Sequence, residues 1–140
     1  MHQVKFIHII CTEPRIQEIY SGYLVKNHLF GFFDTIEYED PILDFLNQKK
    51  LGGMIKRIKT YQKLHGVDAI VLFDHFDCGA YKLGGYEFIN NDEEVKVHQK
   101  NNEKVIEIIK KKFPDMEVAV KYIAINPTGN CTWWTPGREQ

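Results

Sequence analysis

Three side chains with metal-binding chemistry, Cys11, His75 and Cys78, stand at the ends of two apolar runs, "VKFIHIIC" and "VDAIVLFDH", the second continuing into "FDCGA". Two thiolates and one imidazole suit zinc. Three protein ligands leave the fourth tetrahedral position open, which is the arrangement of a catalytic site rather than a structural one. Water at such a position ionises near pH ~7 and supplies a hydroxide nucleophile at neutral pH. The two-residue gap between His75 and Cys78 lets both side chains turn toward one ion, and Gly79 accommodates a tight strand-to-helix corner. A cysteine at a strand end is otherwise just a small hydrophobe. What favours a metal is the convergence of His75 and Cys78 with Cys11.

That convergence depends on the elements. Val4 to Cys11 reads as a buried strand, and Pro14 suits the first turn of a helix through "RIQEIYSGYLVKNHL" with Ile16, Ile19, Tyr20 and Tyr23 on one face, ended by Gly31. "FFDTIEYED" alternates like an edge strand, and "PILDFLNQKK" reads as a turn or short helix. "GGMIKRIKTYQKLHG" is helical, with Ile55, Ile58, Tyr61, Gln62 and Leu64 at helical spacing and Gly66 as its cap. Val67 to His75 has the continuous apolar centre of a strand covered on both faces. A Gly-rich polar connection leads to the helix "EEVKVHQKNNEKVIEIIKKKF", striped by Val105, Ile106, Ile109 and Phe113. Met116 to Ile125 is the last predicted strand, and residues 126–140 form a turn-rich tail. The alternation predicts a single-domain α/β fold with an open parallel four-stranded sheet and helices on both faces. In the order 2-1-3-4, strands 1 and 3 are neighbours. The crevice beyond their carboxyl ends then gathers Cys11, His75 and Cys78.

The bulk properties narrow the partners. A chain of 140 residues with 44% hydrophobic side chains has the size of one domain and can bury a core without disulfides. Its 18 basic and 19 acidic residues nearly cancel, so charge gives no reason to expect a nucleic-acid or acidic-membrane partner. Three widely spaced cysteines read as reduced thiols, and no leader or membrane span is recognisable, so a soluble cytoplasmic protein is expected. The acceptor pattern Asn130-Cys131-Thr132 reads as chance in that setting.

"CTEPR" (Cys11 to Arg15) followed by "HFDCGA" (His75 to Ala80) resembles the paired CxDxR and HxxCG motifs of the β-class carbonic anhydrases, zinc enzymes that interconvert carbon dioxide and bicarbonate. The segment from Gly52 to Tyr81 is similar to that family's helix-strand-ligand stretch along its length. The resemblance implies Zn2+ on Cys11, His75 and Cys78, a sheet of order 2-1-3-4, and a homodimer or higher homo-oligomer with active sites near the subunit interface. It also implies that Glu13 and Arg15 orient the zinc-bound nucleophile. The family has aspartate where this chain has Glu13; in a closed form of some members that aspartate swings onto the zinc. The family's Asn-Ala-Gly loop is not recognisable in "IEYEDPILDF". The leading expectation is hydration of carbon dioxide. Alternatives are hydrolysis of carbonyl sulfide or carbon disulfide, or a catalytically silent zinc domain with Glu13 on the metal. A nucleotide site is weaker, because "CTEPR" lacks the glycines that admit phosphate.

Other candidates surround this set. Asp77, like Asp74, flanks His75 and could accept a hydrogen bond near the site or simply cap a turn. His98 could shuttle protons from the zinc-bound water or be structural. His8 reads as a core or interface residue, whereas His2, His28 and His65 have terminal or loop contexts. Trp133 and Trp134 could cover a subunit interface or pack back on the sheet, and Cys131 has no evident partner.

Overall fold

The computed structural model describes residues 3–137; His2 and residues 138–140 of the tail lie outside the described residues. Its centre is one sheet of order β2-β1-β3-β4-β5. The strands are β1 (Phe6–Cys11), β2 (Phe33–Tyr38), β3 (Ala69–His75), β4 (Glu117–Ile125) and β5 (Cys131–Trp134). The first four are parallel, in the predicted order 2-1-3-4. Every residue of β3 is buried, as its unbroken apolar run requires of a strand covered on both faces. Ile10 stands opposite Phe73, so β1 and β3 run out at the same end of the sheet, at Cys11 and His75.

The fifth strand corrects the expected four-stranded parallel sheet. Cys131 to Trp134, predicted as part of an irregular tail, pairs antiparallel with β4, with Ile125 opposite Cys131 and Tyr122 opposite Trp134. The turn residues that suggested a tail instead build a hairpin. Asn126 Oδ1 accepts from the backbone N–H groups of Thr128 (3.1 Å) and Asn130 (2.9 Å), and Gly129 takes the left-handed backbone (φ 88°) that closes it. Trp134 packs edge-on against Phe76 and Tyr122, while Trp133 lies against Tyr23 and Phe73.

Helices α1 (Gln17–Lys26), α2 (Pro41–Phe45), α3 (Leu51–His65), α4 (Gly79–Leu83) and α5 (Asn91–Lys112) complete the fold, with a 3-10 turn at Pro14–Ile16 before α1. Helix α1 ends at Lys26, short of the predicted Leu29. Helix α4 occupies part of the stretch expected to be irregular. Gly66 caps α3 with φ 68°, as predicted. On α3 the buried positions are Met54, Ile55 and Ile58, whereas Leu64 is 52% exposed. Six residues past Ile58 at 100° each carry Leu64 well off that stripe. Asn90 opens α5 by accepting from Glu93 N–H at 2.9 Å, with acidic residues in the first turn and Lys110 to Lys112 in the last. Ile7, Ile9, Ile70 and Leu72 pack on one side of the sheet with residues of α3 and α5, while Ile10, Val71 and Phe73 pack with residues of α1.

His8 lies in the core, fully buried, its ring stacked on Phe33 and its Nδ1 2.9 Å from the Tyr20 hydroxyl. Burial lowers its pKa from 6.5 to about 4. Between those values the unfolded chain takes up a proton that the folded chain refuses. The stabilisation from neutral His8 is therefore whole above pH 6.5 and is lost as the pH falls toward 4. In urea unfolding, wild type is expected to lose on the order of 3 kcal/mol across that window relative to His8→Asn, which cannot titrate there. A constant gap between the two proteins from pH 7 to 4 would refute this.

Candidate metal centre

The carboxyl ends of β1 and β3 bring Cys11, His75 and Cys78 together, with one ligand atom from each within 4.8 Å of the others. They are 7%, 1% and 2% exposed, so the cluster is nearly sealed. His75 Nδ1 donates to the Phe76 carbonyl at 2.9 Å, which fixes the proton on that nitrogen. Nε2 then carries a lone pair, is buried and has no hydrogen-bond partner. A buried, unpartnered imidazole nitrogen beside two sulfurs is what a metal-binding site looks like before the metal is considered, and the donor set fits a borderline-soft ion. The electrostatics agree. The hydrogen bond from Cys78, then those involving His75 and Asp40, outweigh burial and bring Cys11 down to about 4, while Cys78 is pushed up in return. Burial pulls His75 down, but the adjoining Cys11 thiolate and the Phe76 carbonyl outweigh it and raise His75 to about 8 in the metal-free protein, where a proton on Nε2 takes the place a metal ion would fill.

Arg15 joins the two turns that carry the candidate ligands. Its Nε and Nη2 donate to the two Glu13 carboxylate oxygens at 2.7 and 3.2 Å, and its backbone N–H donates to Glu13 Oε1 at 3.1 Å. Across the crevice, Nη1 donates to Asp77 Oδ2 at 3.0 Å and Nη2 to the Asp77 carbonyl at 3.2 Å. Asp77 sits between His75 and Cys78 in a left-handed conformation (φ 57°) that non-glycine residues seldom adopt. Glu94 accepts its backbone N–H at 2.7 Å, and Lys82 pairs with its Oδ1 at 2.9 Å. The Arg15 hydrogen bond lowers the Glu13 pKa, and those from Lys82 and Arg15 lower that of Asp77. Cys131 gains a partner here, donating its thiol to the Arg15 carbonyl at 3.1 Å. An open cleft of about 780 Å³, lined by Arg15, Phe76, Asp77, Glu94, Asn126 and Trp134, lies outside this clasp, and none of the three candidate ligands lines it.

His98 lies within α5 and is wholly buried. Its Nδ1 donates to Asp74 Oδ2 at 2.8 Å, its ring stacks on Tyr81 at 4.0 Å, and its Nε2 is 3.9 Å from Glu94 Oε2. Asn102 Nδ2 donates to the same Asp74 oxygen at 2.7 Å. Asp40, which sequence reasoning missed, is also at the centre: its backbone N–H donates to Cys11 Sγ at 3.4 Å. Burial and the nearby Asp74 carboxylate push the Asp40 side chain up to about 7. Two signals pointed to it. It precedes a proline as a helix N-cap does, and it follows β2 at the ligand-bearing end of the sheet.

A mixed five-stranded sheet with two cysteines and a histidine gathered at the carboxyl ends of its central parallel strands defines an α/β protein with a Cys2His candidate metal centre. The chain belongs to the family described as "Putative carbonic anhydrase", which matches residues 1–129. It is also similar to two curated rickettsial proteins. One, "Uncharacterized protein RC0076" of Rickettsia conorii, is 32% identical over 123 residues, covering 84% of this chain and 66% of that protein. The other, "Uncharacterized protein" of Rickettsia bellii, is 27% identical over 123 residues, covering 84% of this chain and 75% of its own length.

Proposed function

We propose that this protein is a zinc lyase that reversibly hydrates carbon dioxide to bicarbonate. The observation that carries the reading is the buried convergence of Cys11, His75 and Cys78, with His75 Nε2 left as an unpartnered donor. Cys11, His75 and Cys78 would hold the zinc, which when bound would supply the Lewis acidity that activates water as a nucleophile near neutral pH. The residues do the rest. Cys11 and Cys78 supply thiolate charge, and the Phe76 carbonyl fixes the His75 tautomer. Arg15 holds Glu13 on one side and Asp77 on the other, keeping the two ligand-bearing turns in register. A ligand set this deeply covered favours a small uncharged substrate over a large one. Both Glu13 oxygens are engaged by Arg15, which favours the open-site enzyme over a silent domain with Glu13 on the metal.

The same reading makes the protein a cytoplasmic homodimer. Free thiols at Cys11, Cys78 and Cys131 support the compartment, and no helix among the described residues is long and apolar enough to cross a membrane. Exposed Val25, Phe30 and Phe32, near edge strand β2, support the dimer. Stopped-flow assay of zinc-loaded protein is expected to show carbon dioxide hydration that falls by about tenfold or more in Arg15→Ala. The same preparation should sediment as two chains. Turnover of carbonyl sulfide or carbon disulfide without carbon dioxide would change the substrate, and zinc-replete protein inert toward all three would overturn the reading.

A further inference from the structure

We propose that Asp40 is the acidic positioning residue of the metal centre, its backbone holding Cys11 and its carboxylate facing the position that the three ligands leave open. This rests on the reading of Cys11, His75 and Cys78 as metal ligands, and it gives Asp40 a place that the motif resemblance gives to Glu13. Glu13 is poorly free to act on a metal: its carboxylate accepts three hydrogen bonds from Arg15. Asp40 is the reverse case. It is 2% exposed, and its Oδ1 accepts a 3.4 Å bond from Leu43 N–H as the cap of α2. Its Oδ2 is buried with no partner, and no Lys or Arg side chain among the described residues pairs with it.

A carboxylate oxygen is rarely left buried and unpaired without a reason, and a nearby cation is one such reason. The backbone places the residue beside the candidate ligands. Asp40 holds a left-handed conformation (φ 45°, ψ 77°), which costs a non-glycine residue and persists where the surroundings over-determine it. In that conformation its N–H donates to Cys11 Sγ at 3.4 Å. Asp40 thus holds one of the sulfurs from the turn that follows β2, the strand next to β1.

The test is cobalt(II) binding, read by competition with a chromophoric chelator and by the visible absorption of the bound ion. Asp40→Asn keeps a residue that caps helices, tolerates left-handed backbone and retains the N–H to Cys11, so it removes chiefly the charge. Asp40→Gly keeps the backbone conformation and removes the side chain. Both are expected to lower cobalt affinity by about 10–100-fold and to shift the visible bands, while Glu13→Gln stays within about threefold of wild type. Metal-free melting and circular dichroism identify any variant that has lost the fold, and the other substitution then decides. Wild-type affinity and spectrum in the folded Asp40 variants, or a Glu13→Gln loss as large as theirs, overturns the inference while leaving the metal centre intact. A wild-type chain that binds neither cobalt nor zinc overturns the metal reading and this inference with it.

Discussion

Cys78→Ser, purified from zinc-supplemented medium, is expected to carry less than about a tenth of an equivalent of zinc, where wild type carries close to one. The substitution is nearly isosteric at a 2% exposed position, so the polypeptide should keep its fold. The chemistry changes much more than the shape. A thiol gives up its proton to a bound metal, whereas a serine hydroxyl is far less acidic and offers a harder oxygen. In the metal-free protein the neighbouring Cys78 thiol is also what most lowers the Cys11 pKa, so the change affects both sulfurs. Cys131→Ser is the matched control. Its thiol is outside the cluster and bonds the Arg15 carbonyl, so zinc content should hold. Elemental analysis of the three proteins decides: equal zinc in wild type and Cys78→Ser would remove Cys78 from the centre.

The half of the centre that the sequence disclosed was carried by periodicity and by topology. A run as evenly apolar as Ala69 to Phe73 fits only a strand covered on both faces, and alternation with helices makes it parallel. Once β1 and β3 are neighbours, Cys11 must approach His75, however far apart they are in the chain. Asp40 escaped because its role comes from tertiary placement. It reads locally as a turn residue before proline, and only the pairing of β2 with β1 puts it against Cys11.

The apolar stripe of α5 shows a second kind of limit. Val105, Ile109 and Phe113 were legible as a buried face, but that face continues backward through Asn102, Asn101 and His98 at the same helical spacing. Hydrophobic patterning stops where the side chains turn polar, although burial does not. Polar residues at buried positions need partners, and the partners, Asp74 and Tyr81, lie on other elements. The fifth strand was missed for a related reason. Four residues flanked by turn signals carry too little alternation to declare a strand, and β5 exists because β4 offers it an edge.

That hidden polar network predicts the second large effect. Asp74→Ala is expected to destabilise the protein by about 3–5 kcal/mol in urea unfolding, the range seen when one member of a buried charged or hydrogen-bonded pair is removed. Asp74 is 2% exposed, and its Oδ2 accepts from both His98 Nδ1 and Asn102 Nδ2. Truncation leaves both donors inside the protein, with no room for bulk water to replace the lost acceptor. Asn102 keeps its bond to the His98 carbonyl, so the damage centres on the imidazole, which is also confined by its stack on Tyr81. Asp74→Asn should cost less, about 1–3 kcal/mol, because its amide oxygen can still accept from one donor. Glu94→Gln should leave His98 in place, since Glu94 approaches it only to 3.9 Å. A loss under about 1 kcal/mol for Asp74→Ala would mean that these three side chains are not paired in solution. The full loss would make the Asp74–His98 pair a tether between α5 and the end of β3, one residue before His75. It would also explain why a histidine that resembles a proton shuttle in the sequence is closed off from solvent in the fold.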